Sequence, residues 1–410
     1  MKGPKIGLYA GSGTSHSWLW FLDLFEKAGF YDLVFLDEFC VGNNDIEGLD
    51  VLVISGGDTF AVAKSLGKQG ARNIKAFVEH GGMYIGSCAG AYLPMNSSKK
   101  PLDLFNFVDV KITNLSKTLP LAQIKTCKFC TSYGCEFVFH PVREAVALKT
   151  TRFLDKKNTM EFTAPLYGGP GMTARDPKWV LATYEGFTDG TFFLASREIA
   201  QKTLIKKGAV LRVPDEKGCF YLLGPHLEQP GFKQANQFII DAIILETSRI
   251  KNWVKEKPNG AGLVLKKEIR GEKARELLLD IRRELSNSRI VAGSLEFLPV
   301  QWLIGQKVYE PQKMRVYLES MWKRLMVLDK NKAVFFEPDQ YQVIVNSASR
   351  ITIELRRIKK QIDENQDSLK TAVKIFDLLH VLSISFFGLY FSTLCKGMIT
   401  GNERIHSKAS

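Results

Sequence analysis

The chain has 410 residues, 45% of them hydrophobic and 24% charged, more than one ordinary core fills. That composition excludes a disordered, a collagenous or a disulfide-miniprotein class. The chain is basic, with 56 Lys and Arg against 43 Asp and Glu and a formal charge of +13. The excess is uneven: residues 1–248 hold 27 basic and 25 acidic side chains, and residues 249–410 hold 29 and 18. A block of this kind suits an acidic protein partner or an anionic membrane surface, and equally a helical region with a solvated Lys/Arg face.

The first hundred residues alternate strand and helix signals. Lys5–Tyr9, Leu33–Leu36, Val51–Ile54 and Met83–Ile85 are short apolar runs. Between them, Ser17–Lys27 and Arg72–His80 space their apolar residues as helices do, and Gly81-Gly82 stops the second. Strands of four or five residues separated by helices predict βαβ units around a parallel sheet. From about 100 to 220, Phe137–Phe139, Trp179–Thr183, Thr191–Leu194 and Val210–Val213 predict a strand-rich segment. Beyond 248, Glu272–Asn287, Pro311–Leu328 and Ala348–Leu394 are helix-like, with Ile358–Leu378 reading as one long amphipathic segment. The linker composition of Lys255–Gly262 places a boundary near 248–262, dividing the chain into 1–248 and 249–410.

The N-terminus lacks the charged, apolar, small-residue order of a signal peptide. Seven cysteines are an odd count, which favours a reducing, cytoplasmic setting over a disulfide framework. Leu378–Cys395 is an uncharged stretch of 18 at the short limit for a membrane span. Its His380 and its hydroxyl side chains favour a buried helix over membrane association.

Gly86-Ser-Cys-Ala-Gly90 has the form of a nucleophile elbow, a sharp strand-to-helix turn that exposes its central side chain. There Cys88 sits at a helix start, where the dipole and free N–H groups favour thiolate. Ala89 is the first N–H able to meet an oxyanion. The alternative is a buried cysteine in a glycine-rich turn. Phe220–Leu223 is an apolar run ending in Gly224-Pro-His-Leu-Glu228, so His226 and Glu228 follow a strand two positions apart. That spacing lets Glu228 orient the His226 imidazole.

These motifs, with Ser55-Gly-Gly-Asp58, Thr163–Pro170 and Val180–Tyr184, resemble the class I glutamine-amidotransferase-like superfamily. Within it they are similar to the domain found at the N-terminus of some eukaryotic biotin–protein ligases and as free-standing microbial proteins. The resemblance spans roughly residues 4–245. It implies a flavodoxin-like, mostly parallel sheet flanked by helices, with an added β-rich segment and then the mainly helical C-terminal region. It further implies Cys88 as nucleophile, His226 as base and Glu228 as orienter. It also implies that the backbone of Gly56, Gly57 and Asp58 forms the second side of the oxyanion hole. Tyr92 stands where glutamine-hydrolysing members usually carry Gln, which argues against glutamine as substrate. The C-terminal region has no Gly-Arg-Gly-Arg adenylate loop, which argues against biotin ligation. The expected chemistry is therefore hydrolysis or transfer of an amide or acyl group through a Cys88 thioacyl intermediate. The alternative is an inactive binding or regulatory module docking through its basic helices.

Other features are secondary. Cys127, Cys130, Cys135 and His140 have a spacing that could hold zinc, but the surrounding phenylalanines favour packed strands. No metal or cofactor is expected. Gly11-Ser-Gly13 reads as a tight turn at the sheet edge, placing Ser12 or His16 near a substrate. Tyr167 lines the same cleft or belongs to a plain loop. Trp302 and Trp322 are spaced as in helix cores, and nucleic acid is not an expected partner.

Overall fold

A computed structural model describes residues 3–119, 137–151, 159–253, 267–305, 307–330, 333–337 and 339–406. The chain divides into two compact units. The first comprises Met1–Gly29, Leu36–Ala261 and Gly305–Lys307. The second comprises Phe30–Phe35, Gly262–Ile304 and Val308–Ser410.

The chain begins with β1 (Ile6–Tyr9), α1 (Trp18–Lys27), β2 (Leu33–Leu36), α2 (Glu38–Gly42), β3 (Val51–Ile54), α3 (Thr59–Glu79), β4 (Met83–Ser87) and α4 (Ala89–Tyr92). All residues of β1, β3 and β4 are buried, as strands covered on both faces require. The antiparallel part follows with β5 (Val110–Ile112), β6 (Val142–Thr150), β7 (Glu161–Leu166), β8 (Met172–Ala174), β9 (Val180–Phe187) and β10 (Phe192–Phe193). Helix α5 (Arg197–Leu204), β11 (Gly208–Asp215), β12 (Gly218–Leu223) and α6 (Lys233–Trp253) complete it. The sheet runs β10-β6-β9-β11-β12-β4-β3-β1-β2, with β7 added on β6 and β5-β8 on β11. Strands β12, β4, β3 and β1 are parallel neighbours.

This is the mixed α/β architecture expected, with local departures. The helix read as Arg72–His80 is the second half of α3, which bends at Gly67 (φ 58°, ψ −164°). Phe137–Phe139 is no strand: Val138 makes a single bridge to Leu115. Thr191–Leu194 shrinks to the two residues of β10. Helix α5 escapes the sequence reading because its two turns lie within a strand-rich stretch.

The second unit is a helical bundle. Helix α7 (Gly271–Leu295) packs on α8 (Pro311–Leu328) and α9 (Gln340–Asp363), and α10 (Leu369–His406) packs on the same two. Two small sheets accompany them, β13 (Lys267–Arg270) with β16 (Ala333–Phe336) and β14 (Trp302–Ile304) with β15 (Lys307–Tyr309). Trp302 is thus a strand residue, not a helix-core residue. Its Nε1 donates to Ser368 Oγ at 2.9 Å. The segment Ile358–Leu378 is not one helix, because α9 ends at Asp363 and Asn365 adopts φ 54° before α10 begins. Asn is among the few residues that reach that region at low cost.

Helix α10 from Leu369 to Lys396 is long and apolar enough to cross a bilayer by length and composition, and half of its most apolar window is buried in this unit. Leu379, Leu382, Phe386, Phe387 and Leu389 are fully buried there. The guanidinium of buried Arg324 lies 5.4 Å from the Phe387 ring centre and 5.8 Å from that of Tyr390. It donates to Ser320 Oγ at 2.8 Å, so aromatic faces and hydroxyls replace the water lost on burial. Lys255–Gly262, Cys127, Cys130 and Cys135 lie outside the described residues.

Candidate active site

Strands β4 and β12 are parallel and adjacent, with Leu222 opposite Gly86 and Leu223 opposite Ser87. Their carboxyl ends therefore open side by side, the edge at which ligands bind in sheets of this kind. The turn after β4 delivers Cys88 and the turn after β12 delivers His226 and Glu228. Cys88 stands at φ 51°, ψ −104°, a backbone conformation a side chain rarely adopts. It is fixed from both sides: the Cys88 N–H donates to Leu223 O at 2.9 Å and Gly90 N–H donates to Ser55 O at 3.2 Å. A Cβ on Gly90 would lie 1.9 Å from Ile54 O, so only glycine closes this turn.

His226 Nδ1 lies 2.6 Å from Glu228 Oε1, and the imidazole stands beside Cys88, close enough to lower its thiol. All three side chains are buried, at 5%, 3% and 1% exposure. The structure thus brings the three predicted residues together. It adds Ser87, whose hydroxyl donates to both Glu228 oxygens at 2.9 and 3.1 Å. Burial alone would raise the Cys88 thiol, but the His226 hydrogen bond and positive charge, with the Lys307 ammonium, outweigh it and hold the thiol low. Burial alone would lower His226, and the neighbouring Glu228 and Cys88 outweigh it and raise it. Both shifts favour the charged forms, thiolate at Cys88 and imidazolium at His226. Because α4 has only four residues, this charge state owes more to His226 and Lys307 than to a helix dipole.

The remaining predicted residues divide. Gly56 belongs to the site: a Cβ there would fall 2.8 Å from His226 Cε1 and 2.9 Å from Ser17 Oγ. Asp58 plays a different part from the one expected. Its N–H donates to Gly13 O at 2.8 Å, and its Oδ1 caps α3 by accepting from Phe60 and Ala61. Ser12 turns to Glu38, its hydroxyl donating to Oε1 at 2.7 Å. The Tyr92 hydroxyl donates to Gly168 O at 3.1 Å and accepts from Asn114 Nδ2 at 2.8 Å.

Tyr167 lies 5.7 Å from the His226 ring, and Trp20 stands edge-on to that ring at 5.3 Å. Trp20 went unremarked in the sequence, although its place on α1 just after the Gly11–Gly13 turn was a usable signal. His16 stands edge-on to Trp20 at 5.3 Å, one ring further out. His140 is buried, and burial first, then the nearby Lys307 and Arg143 charges, push it down to about 3, so its imidazole stays neutral. Among the described residues no cluster of His, Cys, Asp and Glu could hold a metal ion.

Residues 9–277 match the family described as biotin-protein ligase, N terminal. The chain belongs to the biotin-protein ligase N-terminal family. Two solved structures are distantly similar. A ThuA-like protein from Bacteroides uniformis shares 13% identity over 61% of this chain and 94% of its own, with a TM-score of 0.33. The exo-β-1,4-mannosidase Op5Man5 from an Opitutaceae bacterium shares 13% over 62% and 37%, with a TM-score of 0.29. No curated protein matches the chain.

Proposed function

We propose that the first unit of this family member is a hydrolase or acyltransferase of the class I amidotransferase-like kind, with Cys88 as its nucleophile. The observation that supports this reading best is the buried His226 ring, which stands beside Cys88 and is held by Glu228 at 2.6 Å. In this reading the Cys88 thiolate attacks a carbonyl carbon, and the C=O electron pair moves onto oxygen. The N–H groups of Ala89 and Gly57 stabilise the oxyanion. On collapse the bond to the leaving amine breaks, and the amine takes the proton held on His226. Neutral His226 then accepts a proton from water as that water attacks the thioester. The C–S bond breaks and the thiolate returns. Glu228 holds the imidazole in one orientation throughout. Tyr92, locked between Gly168 and Asn114, occupies the position of the glutamine-site residue, so the favoured substrates are amides or activated acyl compounds other than glutamine.

p-Nitrophenyl acetate tests this directly. Wild-type protein should release a burst of p-nitrophenolate and carry an acetylated Cys88 peptide by mass spectrometry. Cys88→Ser and His226→Ala should abolish the acetylated peptide. A folded wild type that leaves Cys88 unacetylated, or a Cys88→Ala variant with an undiminished burst, overturns the reading.

A further inference from the structure

Ser87 lies one residue before the nucleophile, on the last position of β4, and is fully buried. A serine there has no packing advantage, because a buried hydroxyl is costly unless it is hydrogen-bonded. Its Oγ reaches both oxygens of Glu228, at 2.9 and 3.1 Å, and lies 3.5 Å from His226 Nδ1. Glu228 is itself buried, and Oε1 already accepts from His226. A carboxylate in that setting keeps its orientation only if further donors hold it. We propose that Ser87 is the positioning residue of this site: it clamps the Glu228 carboxylate so that its Oε1 faces His226 Nδ1. This rests on the reading of Cys88 as an activated nucleophile, but goes beyond it, since the hydroxyl touches no reacting atom.

The consequence reaches Cys88 through two proton carriers. Without the Ser87 donor, the Glu228 carboxylate is free to turn away from His226 Nδ1, and the imidazolium loses the anion that holds it. The imidazolium charge beside Cys88 falls and the thiolate loses its partner. The charged groups facing the thiolate are His226, Glu228 and Lys307, and only Lys307 is untouched by the change.

The measurement is the rate of Cys88 alkylation by iodoacetamide against pH, read on the Cys88 peptide of the full chain by mass spectrometry. The thiolate sulfur displaces iodide, so the rate below the midpoint follows the thiolate fraction. Wild type should show a midpoint below that of an ordinary cysteine. Ser87→Ala should move the midpoint up by about one unit, slowing alkylation about tenfold at pH below both midpoints. Its plateau at high pH should be undiminished, because a more basic thiolate is no weaker a nucleophile. A damaged fold would lower both. In a Glu228→Gln background, Ser87→Ala should add no further shift. Ser87→Thr, which keeps the hydroxyl, should stay within about twofold of wild type.

A folded Ser87→Ala variant with the wild-type midpoint overturns the assignment, as does a folded Ser87→Thr variant with a raised one. A wild-type midpoint no lower than that of free cysteine overturns instead the nucleophile reading on which it rests.

Discussion

At the scale of single residues, the site is defined by close approaches that leave no room for a side chain. Gly56 lies under the His226 ring, where a methyl group would meet Cε1 at 2.8 Å and Ser17 Oγ at 2.9 Å. Gly56→Ala should therefore tilt the imidazole off Cys88 while the strands around it stay intact. The expected result is Cys88 alkylation at neutral pH slowed about tenfold, with a thermal midpoint within a few degrees of wild type. Alkylation at the wild-type rate would show that the ring is not held there. Cys88, His226 and Glu228 were legible because residue type and spacing carry their chemistry. Ser87 was not, since a serine beside a nucleophile says nothing until its hydroxyl is seen to meet Glu228. Asp58 misled for the opposite reason. The motif is right, but its N–H and carboxylate are committed to Gly13 and to the start of α3.

At the scale of elements, α6 is pinned to the sheet by one carboxylate. Glu246 on α6 accepts from Arg212 Nε and Nη2 of β11, at 2.8 and 2.9 Å, and from the Tyr221 hydroxyl of β12 at 3.0 Å. Burial alone would raise its carboxyl, and these donors outweigh burial and hold it below the ordinary 4.5. A depressed folded value means the stabilisation is present above the unfolded value and is lost as pH falls through the folded one. Glu246→Gln should cost about 2 kcal/mol at pH 7, read as a lower thermal midpoint. The gap to wild type should narrow as pH is lowered from 7 toward 3. A gap that stays constant over that range would contradict the assignment. The elements most legible in the sequence were β1 to β4, whose unbroken apolar runs are what strands buried on both faces require. Helix α5, the break at Asn365 and the strand placement of Trp302 were missed because short elements are decided by their neighbours more than by their own period.

At the scale of the molecule, residues 249–410 hold 29 basic and 18 acidic side chains, and the helices described there bury an apolar core. Leu382 is fully buried on α10, in the stretch most apolar by composition. If that stretch is a bundle core, Leu382→Ala should destabilise the full chain in solution by about 2–5 kcal/mol, measured by denaturant or thermal unfolding. An unchanged unfolding midpoint would mean the residue does not pack as seen. The sequence by itself determined the α/β class, the helical C-terminal region and the three residues of the candidate site, because alternation, periodicity and motif spacing are local quantities. Only the tertiary structure decided that β4 and β12 run side by side, that Ser87 meets Glu228 and that Asp58 caps α3. It also decided that a helix apolar enough for a bilayer buries half of its face on its neighbours. Each of these depends on which distant segments the chain brings within hydrogen-bond or van der Waals reach, and no local pattern encodes that.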